Sequence, residues 1–184
     1  MRFGIQLYSV RDALEKDFPG TIRAIREMGF EGVEFAWNYG GMEPEAVAAF
    51  LAETGLVCCG LHTGLKDLRD PASLSYRYAK ALRTPCITTS CCGKAELENW
   101  EATITALADA GRVAAGQGLR FTYHNHAPEL EVRGGKTLLD ALYLSGGLTA
   151  EGHMPSAGTQ LRFTDGSVQE WADRMSRMSQ TEVL

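Results

Sequence analysis

The sequence lacks the features that mark several common classes of protein. Its 184 residues have no basic excess: 18 Lys and Arg are outnumbered by 23 Asp and Glu, for a net charge of -5. Binding to a phosphate backbone relies on basic groups, so we expect no nucleic-acid partner. No apolar run approaches the roughly 20 residues of a bilayer-spanning helix, so we expect no membrane association.

Cysteine is scarce and irregularly placed, with no C-x-x-C pair to suggest a thiolate zinc site. An odd number of cysteines without a regular framework is typical of reduced thiols in the cytosol. A strand pattern begins within three residues of Met1, so we expect no signal peptide and predict a cytoplasmic protein. The adjacent pair Cys91-Cys92 is the one to check for reactivity. The five cysteines are Cys58, Cys59, Cys86, Cys91 and Cys92.

Nucleotide-binding fingerprints are also missing. No G-x-G-x-x-G follows the first predicted strand. The GGKT at residues 134–137 resembles the end of a P-loop, but Leu130 stands where the leading glycine belongs. These absences disfavour a nucleotide-binding open sheet.

What the sequence does contain is a repeating strand-and-helix pattern. Strands are predicted to start near positions 3, 32, 57, 86 and 119, and helical periodicity lies between them. A β/α unit about every thirty residues indicates parallel strands joined by right-handed crossovers, in either a doubly wound sheet or a closed barrel. Without a nucleotide fingerprint we favour an α/β fold with a parallel (β/α) barrel of TIM type.

The barrel is predicted to be partial. A complete one takes about 250 residues, whereas residues 1–147 contain about five recognisable units. Residues 148–184 form an atypical tail, in which only TQLRFTDG and SVQEWADRMSRM suggest a strand and a helix. A partial barrel leaves unpaired sheet edges. We expect that the tail covers them, that another chain of a homo-oligomer covers them, or that the chain is a truncated or divergent barrel.

Alternation along the strands predicts which side chains face the helices. These are the apolar positions Val33, Phe35 and Trp37, then Val57, Cys59 and Leu61, then Leu119, Phe121 and Tyr123. The alternate positions then face the barrel axis. The polar residues in this inward set come from four strands and are Gln6, Tyr8, Glu34, His62, His124 and His126. The C-terminal ends of parallel strands are where such proteins carry out chemistry.

Glu34, His62 and the His124-His126 pair each have a structural alternative. Glu34 could be solvated, but a charge between apolar strand residues is disfavoured without a partner, so we favour a site role. His62 could equally bond a backbone carbonyl. His124 and His126, two residues apart at a strand end, are better placed to share a metal or a substrate.

The remaining candidates lie in loops or at strand ends. Glu129 is expected to be solvated, with metal ligation as the lesser alternative, and His153 is expected to be exposed. Trp37 could stack on a sugar or cap the barrel, and the role of Asn125 is open.

Four segments resemble the xylose-isomerase-like sugar phosphate isomerase/epimerase family: GIQLYSVRD, GFEGVEFA, GLHTGL and YHNHAPE. They occur in the family's order and spacing over about residues 1–147. The resemblance implies a TIM barrel acting on a small polyol, keto-sugar or sugar phosphate with Mn²⁺, Mg²⁺, Co²⁺ or Zn²⁺. Relatives include epimerases, hydroxypyruvate isomerases, inosose dehydratases and endonuclease IV-type repair enzymes.

The sequence departs from this family at the metal site. In many relatives a Glu-Asp-His-Glu set from strands five to eight holds the ion. Here His124 and His126 stand where many relatives have the first Glu, and the later ligands are not recognisable. The ligand set that the resemblance implies is therefore incomplete.

We predict a metal-assisted isomerase or epimerase that moves a proton next to a carbonyl of a small carbohydrate. The assigned residues are Glu34 and His62 for catalysis, Gln6, Tyr8, Trp37 and Asn125 for substrate, and His124, His126 and Glu129 for metal. The alternative is a non-catalytic binding module, or one that works only as an oligomer. A metal-dependent DNA-repair hydrolase is disfavoured by the acidic charge, and only His62 matches one of its expected ligands.

Overall fold

The computed structural model describes residues 3–90 and 93–144, with the side chains of 143 and 144 excepted. The expectations for Cys91-Cys92, for His153 and for the tail at 148–184 lie outside the described residues. Within the two described ranges, no helix has both the length and the apolar character of a membrane span.

Strands and helices alternate along the chain, as the sequence pattern predicts. The five main strands are β1 Gly4–Gln6, β2 Gly32–Ala36, β3 Val57–His62, β4 Cys86–Thr89 and β5 Arg120–Tyr123. The helices are α1 Arg11–Lys16, α2 Phe18–Glu27, α3 Pro44–Thr54, α4 Leu65–Leu68, α5 Leu74–Leu82, α6 Lys94–Glu98, α7 Trp100–Gly116 and α8 Leu138–Leu144. Two 3-10 helices, Leu7–Val10 and Ala127–Leu130, and a short hairpin of β6 Val132–Arg133 with β7 Lys136–Thr137 complete the described elements.

The main sheet is parallel, and its strands lie side by side in chain order, β1 to β5. A doubly wound sheet would instead reverse its strand order at a switch point. The sequential order is that of a barrel wall, and β1 and β5 are its edges within the described residues.

The core lies between the outer face of the sheet and the helices. Val33, Phe35, Leu61 and Ile87 are fully buried there, which confirms three of the predicted helix-facing positions. Helices α2 and α3 pack on them through Ile22, Ile25, Val47 and Leu51. Each such side chain contributes about 1.5–3 kcal/mol when it leaves water, so this layer holds the sheet in place.

The predicted facing of Val57 and Cys59 is wrong, because β3 contains a β-bulge. The pairing register between β2 and β3 shifts between Val33 and Glu34, which adds one residue to β3. An extra residue reverses the alternation on one side of the bulge. Cys58 therefore packs in the core, whereas Val57 and Cys59 are exposed.

Two other strands are shorter than predicted. Leu7 begins a 3-10 helix, so the alternation argument for Tyr8 does not hold. Trp37 leaves β2 with a left-handed φ of 59° and is half-exposed, so it does not face the helices. Phe3, expected in the first strand, is also exposed.

The helical segment between β4 and β5 is broken at Asn99, whose φ and ψ of -111° and 59° are not helical. The second part, α7, restarts at the buried Trp100. Trp100 Nε1 donates to the carbonyl of Leu138 at 2.7 Å, which ties α7 to the start of α8.

Two glycines that end helices adopt left-handed backbone. Gly55 caps α3 with φ of 72°, and Gly29 follows α2 with φ of 94°. The turn at Gly134-Gly135 has two positive φ values, 60° and 83°, as a tight hairpin between β6 and β7 requires.

Gly55→Ala should destabilise the protein by about 1 kcal/mol, because a Cβ disfavours left-handed backbone. Gly116→Ala is the matched control: it lies in α7, where an added Cβ would meet open space, and should stabilise by about 0.5 kcal/mol. Urea unfolding of both variants tests this, and equal effects of the same sign would contradict it.

Candidate functional site

Four polar side chains predicted to face the barrel axis meet at the C-terminal ends of their strands. Gln6 Nε2 donates to Glu34 Oε1 at 2.7 Å. His62 Nε2 lies 4.0 Å from the same carboxylate oxygen and 3.2 Å from His124 Nδ1. The side chains therefore form one continuous series of contacts. It runs from β1 through β2 and β3 to the end of β5.

The register of the sheet explains this alignment. Glu34 is paired with Gln6 on one side and with Gly60 on the other. A Cβ at Gly60 would stand 3.1 Å from both Cγ and Oε2 of Glu34, so glycine provides the space that the carboxylate occupies. The next level holds Thr88 and Thr122, whose hydroxyls are 2.6 Å apart.

The two central histidines are held neutral. His62 is almost fully buried, which lowers its pKa to about 4, and the nearby imidazoles of His124 and His126 add to this effect. The pKa of His124 is also lowered, again mainly by burial and then by His126, while Glu129 opposes the shift. A neutral imidazole has one donor and one acceptor nitrogen, so the His62–His124 contact fits a hydrogen bond between neutral rings.

Aromatic side chains border the same site. The ring of Trp37 meets His62 edge-to-face at 5.5 Å and Tyr8 in the same way at 6.3 Å. The guanidinium of Arg11 lies 4.6 Å from the centre of the Tyr8 ring. The structure thus brings Tyr8 and Trp37 to the site, although not through the strand positions that the sequence predicts. Arg11 is a new neighbour; its spacing of three residues from Tyr8 was the only signal in the sequence.

Glu129 is fully buried, so the expectation that it is solvated is wrong. Its Oε1 accepts a hydrogen bond from the Tyr123 hydroxyl at 2.8 Å, and its Oε2 accepts one from the His126 backbone N–H at 3.1 Å. The spacing from His126 to Glu129 is that of a capping box, in which a glutamate reaches back to the first residue of a helix. That spacing was the signal in the sequence for this structural role.

The predicted metal ligands do not assemble. Among the described residues no group of three or more His, Cys, Asp or Glu is arranged to hold an ion. Both oxygens of Glu129 already accept hydrogen bonds. The rings of His124 and His126 stack nearly parallel with centres 4.6 Å apart, and imidazole lone pairs lie in the ring plane, so their nitrogens do not converge. A metal therefore stays a prediction. The assignment of Asn125 to the substrate also stays a prediction; this residue lies between the two histidines in the sequence and is half-buried.

Similar architectures exist among solved structures, although no protein-family model and no curated protein matches the sequence. A sugar phosphate isomerase/epimerase from Parabacteroides distasonis ATCC 8503 superposes with a TM-score of 0.63 at 14% identity, covering 83% of this chain and 64% of that one. An AP endonuclease, family 2, from Brucella melitensis gives 0.62 at 18% identity, covering 95% and 75%. A xylose isomerase domain containing protein from Salmonella typhimurium LT2 gives 0.57 at 13% identity, covering 83% and 59%.

These likenesses confirm the predicted fold, a partial barrel of the TIM type. At such identities they establish the fold alone. The chain spans less than two thirds of the length of the first and third of these proteins.

Tyr123→Phe and Glu129→Gln should each destabilise the protein by about 1–3 kcal/mol, because each leaves a buried polar group without its partner. The two changes remove one shared interaction, so their effects in the double variant should fall short of additivity by about 1 kcal/mol. Urea unfolding of all four proteins gives this coupling energy.

Tyr76→Phe is the control for this cycle. The Tyr76 hydroxyl is also buried but donates to the Leu68 carbonyl, so its effect should add to that of Glu129→Gln. A coupling with Glu129 as large as that of Tyr123 would contradict the assigned contact.

Acid should destabilise the fold through His62. Its pKa is about 4 in the folded protein against 6.5 for an ordinary histidine, so between these values the unfolded chain binds a proton that the folded chain does not. Stability should therefore rise with pH from about 4 to 6.5 and fall on acidification. NMR titration of the histidine ring protons measures this pKa, and the signal that is missing in the His62→Asn variant identifies His62. A pKa of His62 near 6.5 would contradict the prediction.

Proposed function

We propose that the protein is an isomerase or epimerase that moves a proton between carbons next to a carbonyl of a small carbohydrate. One observation carries the proposal: the continuous contacts among Gln6, Glu34, His62 and His124 at the C-terminal ends of neighbouring strands. In parallel barrels this is the end that carries out chemistry. The names of two structural neighbours, a sugar phosphate isomerase/epimerase and a xylose isomerase domain containing protein, support the substrate class.

Glu34 is assigned as the base. Its carboxylate is held by the amide of Gln6, and its side chain is 13% exposed, so it can reach a substrate at the mouth of the site. It takes the proton from the carbon next to the carbonyl and, as the carboxylic acid, returns it to the neighbouring carbon on the same face. General acid–base catalysis of this kind contributes roughly 10²–10⁴-fold in rate.

His62 and His124 are assigned to the oxygen atoms of the substrate. As the carbon loses its proton, negative charge develops on the carbonyl oxygen, and a neutral imidazole can donate a proton to it. In an aldose–ketose conversion the hydroxyl proton of the adjacent carbon must also move, and the second ring accepts it. A proton then passes through the His62–His124 hydrogen bond from the second ring to the first, so both rings end neutral. The pair thus exchanges protons with both substrate oxygens, while Glu34 exchanges one with both carbons.

No step of this proposal runs through a metal ion. The described residues leave the expected ligand set incomplete, so an ion would need ligands from beyond them. The proton transfers above need only the carboxylate and the two imidazoles.

A binding module, or an enzyme that works only as a homo-oligomer, is the second candidate. Within the described residues the sheet has two edges, β1 and β5, and the chain spans 64% of the length of the isomerase/epimerase neighbour. An open barrel wall keeps the binding groups but exposes the strand edges. The fold also resembles that of an AP endonuclease, but a net charge of -5 disfavours DNA as the substrate.

Glu34→Gln should lower proton exchange on the substrate by roughly 10²-fold or more, because the amide cannot accept the proton. The assay is incorporation of deuterium next to the carbonyl, followed by NMR in D₂O with a panel of aldoses, ketoses and keto-polyols. Glutamine keeps the size of the side chain, so the fold should persist.

Glu27→Gln, an exposed carboxylate at the end of α2, is the matched control and should exchange like the unmodified protein. Equal exchange by Glu34→Gln would contradict the role assigned to Glu34. If a probe binds specifically but neither the unmodified protein nor either variant exchanges deuterium, the result would favour the binding module.

A further inference from the structure

Trp37 is held at the mouth of the site in a backbone conformation that tryptophan disfavours. Its φ is 59°, which is an outlier for so large a side chain. The Asn38 N–H donates to the Ala36 carbonyl at 2.7 Å, which closes a γ-turn around Trp37. The γ-turn with positive φ is rare and strained.

The core does not require this conformation. Trp37 is 55% exposed, and its ring neighbours are Tyr8, itself 50% exposed, and the imidazole of His62. Strained residues persist where the surroundings hold them, and they concentrate at ligand sites. A half-exposed aromatic side chain that faces the site rather than the core is therefore better explained by binding than by packing.

We propose that the indole ring of Trp37 binds the C–H face of a ring-closed polyhydroxy compound, a pyranose or a cyclitol. The Tyr8 ring stands at 82° to the indole and borders the same ligand, and the two rings together are called the aromatic platform. This inference names the substrate class of the proposed function. It rests on that function only in the orientation of the bound ring, which faces Glu34.

This ligand class fits the site because aromatic faces and hydrogen-bonding side chains lie next to each other there. An aromatic face carries negative charge density and attracts the slightly positive C–H bonds on one side of a sugar ring. Hydrogen-bonding groups lie beside the platform in Gln6, Glu34 and His62, and they suit a rim of hydroxyls. An acyclic polyol has no such face in a fixed form, and a nucleobase has no such rim.

Arg11 fixes the platform on one side. Its guanidinium lies over the Tyr8 ring at 4.6 Å, and its Nη1 donates to the Tyr8 carbonyl at 3.1 Å. Tyr8 is therefore oriented before a ligand arrives, which lowers the entropy lost on binding.

The test measures binding without turnover. Saturation-transfer NMR and calorimetry are applied with D-xylose and myo-inositol as cyclic probes, sorbitol as the acyclic probe and adenine as the nucleobase probe. The cyclic probes should bind at least several-fold more tightly than sorbitol and adenine. Trp37→Ala should weaken their binding about tenfold, and Trp37→Phe should stay within about threefold of the unmodified protein.

Backbone strain is measured separately by a pair of substitutions at the same position. Trp37→Gly and Trp37→Ala both remove the ring, but only glycine tolerates positive φ, so the glycine variant should unfold at higher urea. Arg83, the second described non-glycine residue with positive φ (51°), caps α5 and provides the matched pair Arg83→Gly and Arg83→Ala. That pair should show the same order of stability with no change in binding.

The inference is overturned if no cyclic probe binds, if Trp37→Ala binds the cyclic probes as tightly as the unmodified protein does, or if sorbitol or adenine binds more tightly than the cyclic probes. It is also overturned if Trp37→Ala is at least as stable as Trp37→Gly. Failure of the proposed function gives a different result, since the cyclic probes would then bind through Trp37 without any deuterium exchange.

Discussion

The site depends on a carboxylate and an imidazole that the sheet holds side by side away from bulk water. A polar group inside a fold is costly unless a partner satisfies it. Glu34 meets this condition through its hydrogen bond with the Gln6 amide, and His62 lies 4.0 Å from the same carboxylate oxygen. Gln6 and His62 come from the strands on either side of β2. Parallel pairing brings the C-terminal ends of the strands together, so residues far apart in sequence become neighbours at one edge.

The bulge in β3 lets one strand serve both the core and the site. Cys58 and His62 are four residues apart and would share a face in a regular strand. In the structure Cys58 packs in the core among the helices, whereas His62 faces Glu34 and His124. The extra residue between them makes both placements possible, and Gly60 then leaves the room that the Glu34 side chain needs.

Sequence periodicity correctly predicted which way side chains face in regular strands. It failed where a bulge or a turn interrupts the strand. Val33, Phe35 and Leu61 are buried as alternation requires, and Glu34 and His62 face inward with it. The bulge is not visible as a pattern, because it depends on pairing with another strand. Tyr8 and Trp37 follow strand ends, where tight turns rather than alternation set the direction of a side chain. Glu129 was misjudged for a related reason: its burial comes from two local hydrogen bonds and not from hydrophobicity.

The partners of Glu129 give this carboxylate a structural role in the loop after β5. It accepts hydrogen bonds from the Tyr123 hydroxyl and the His126 N–H, so it fixes the loop, and releasing it would cost both of these bonds. The same bonds help to keep His126 stacked on His124, which in turn contacts His62. In the described part of this chain, His124 and His126 at the end of β5 therefore continue the series of contacts that begins at Glu34 and His62. The buried carboxylate of Glu129 helps to hold these two histidines in place.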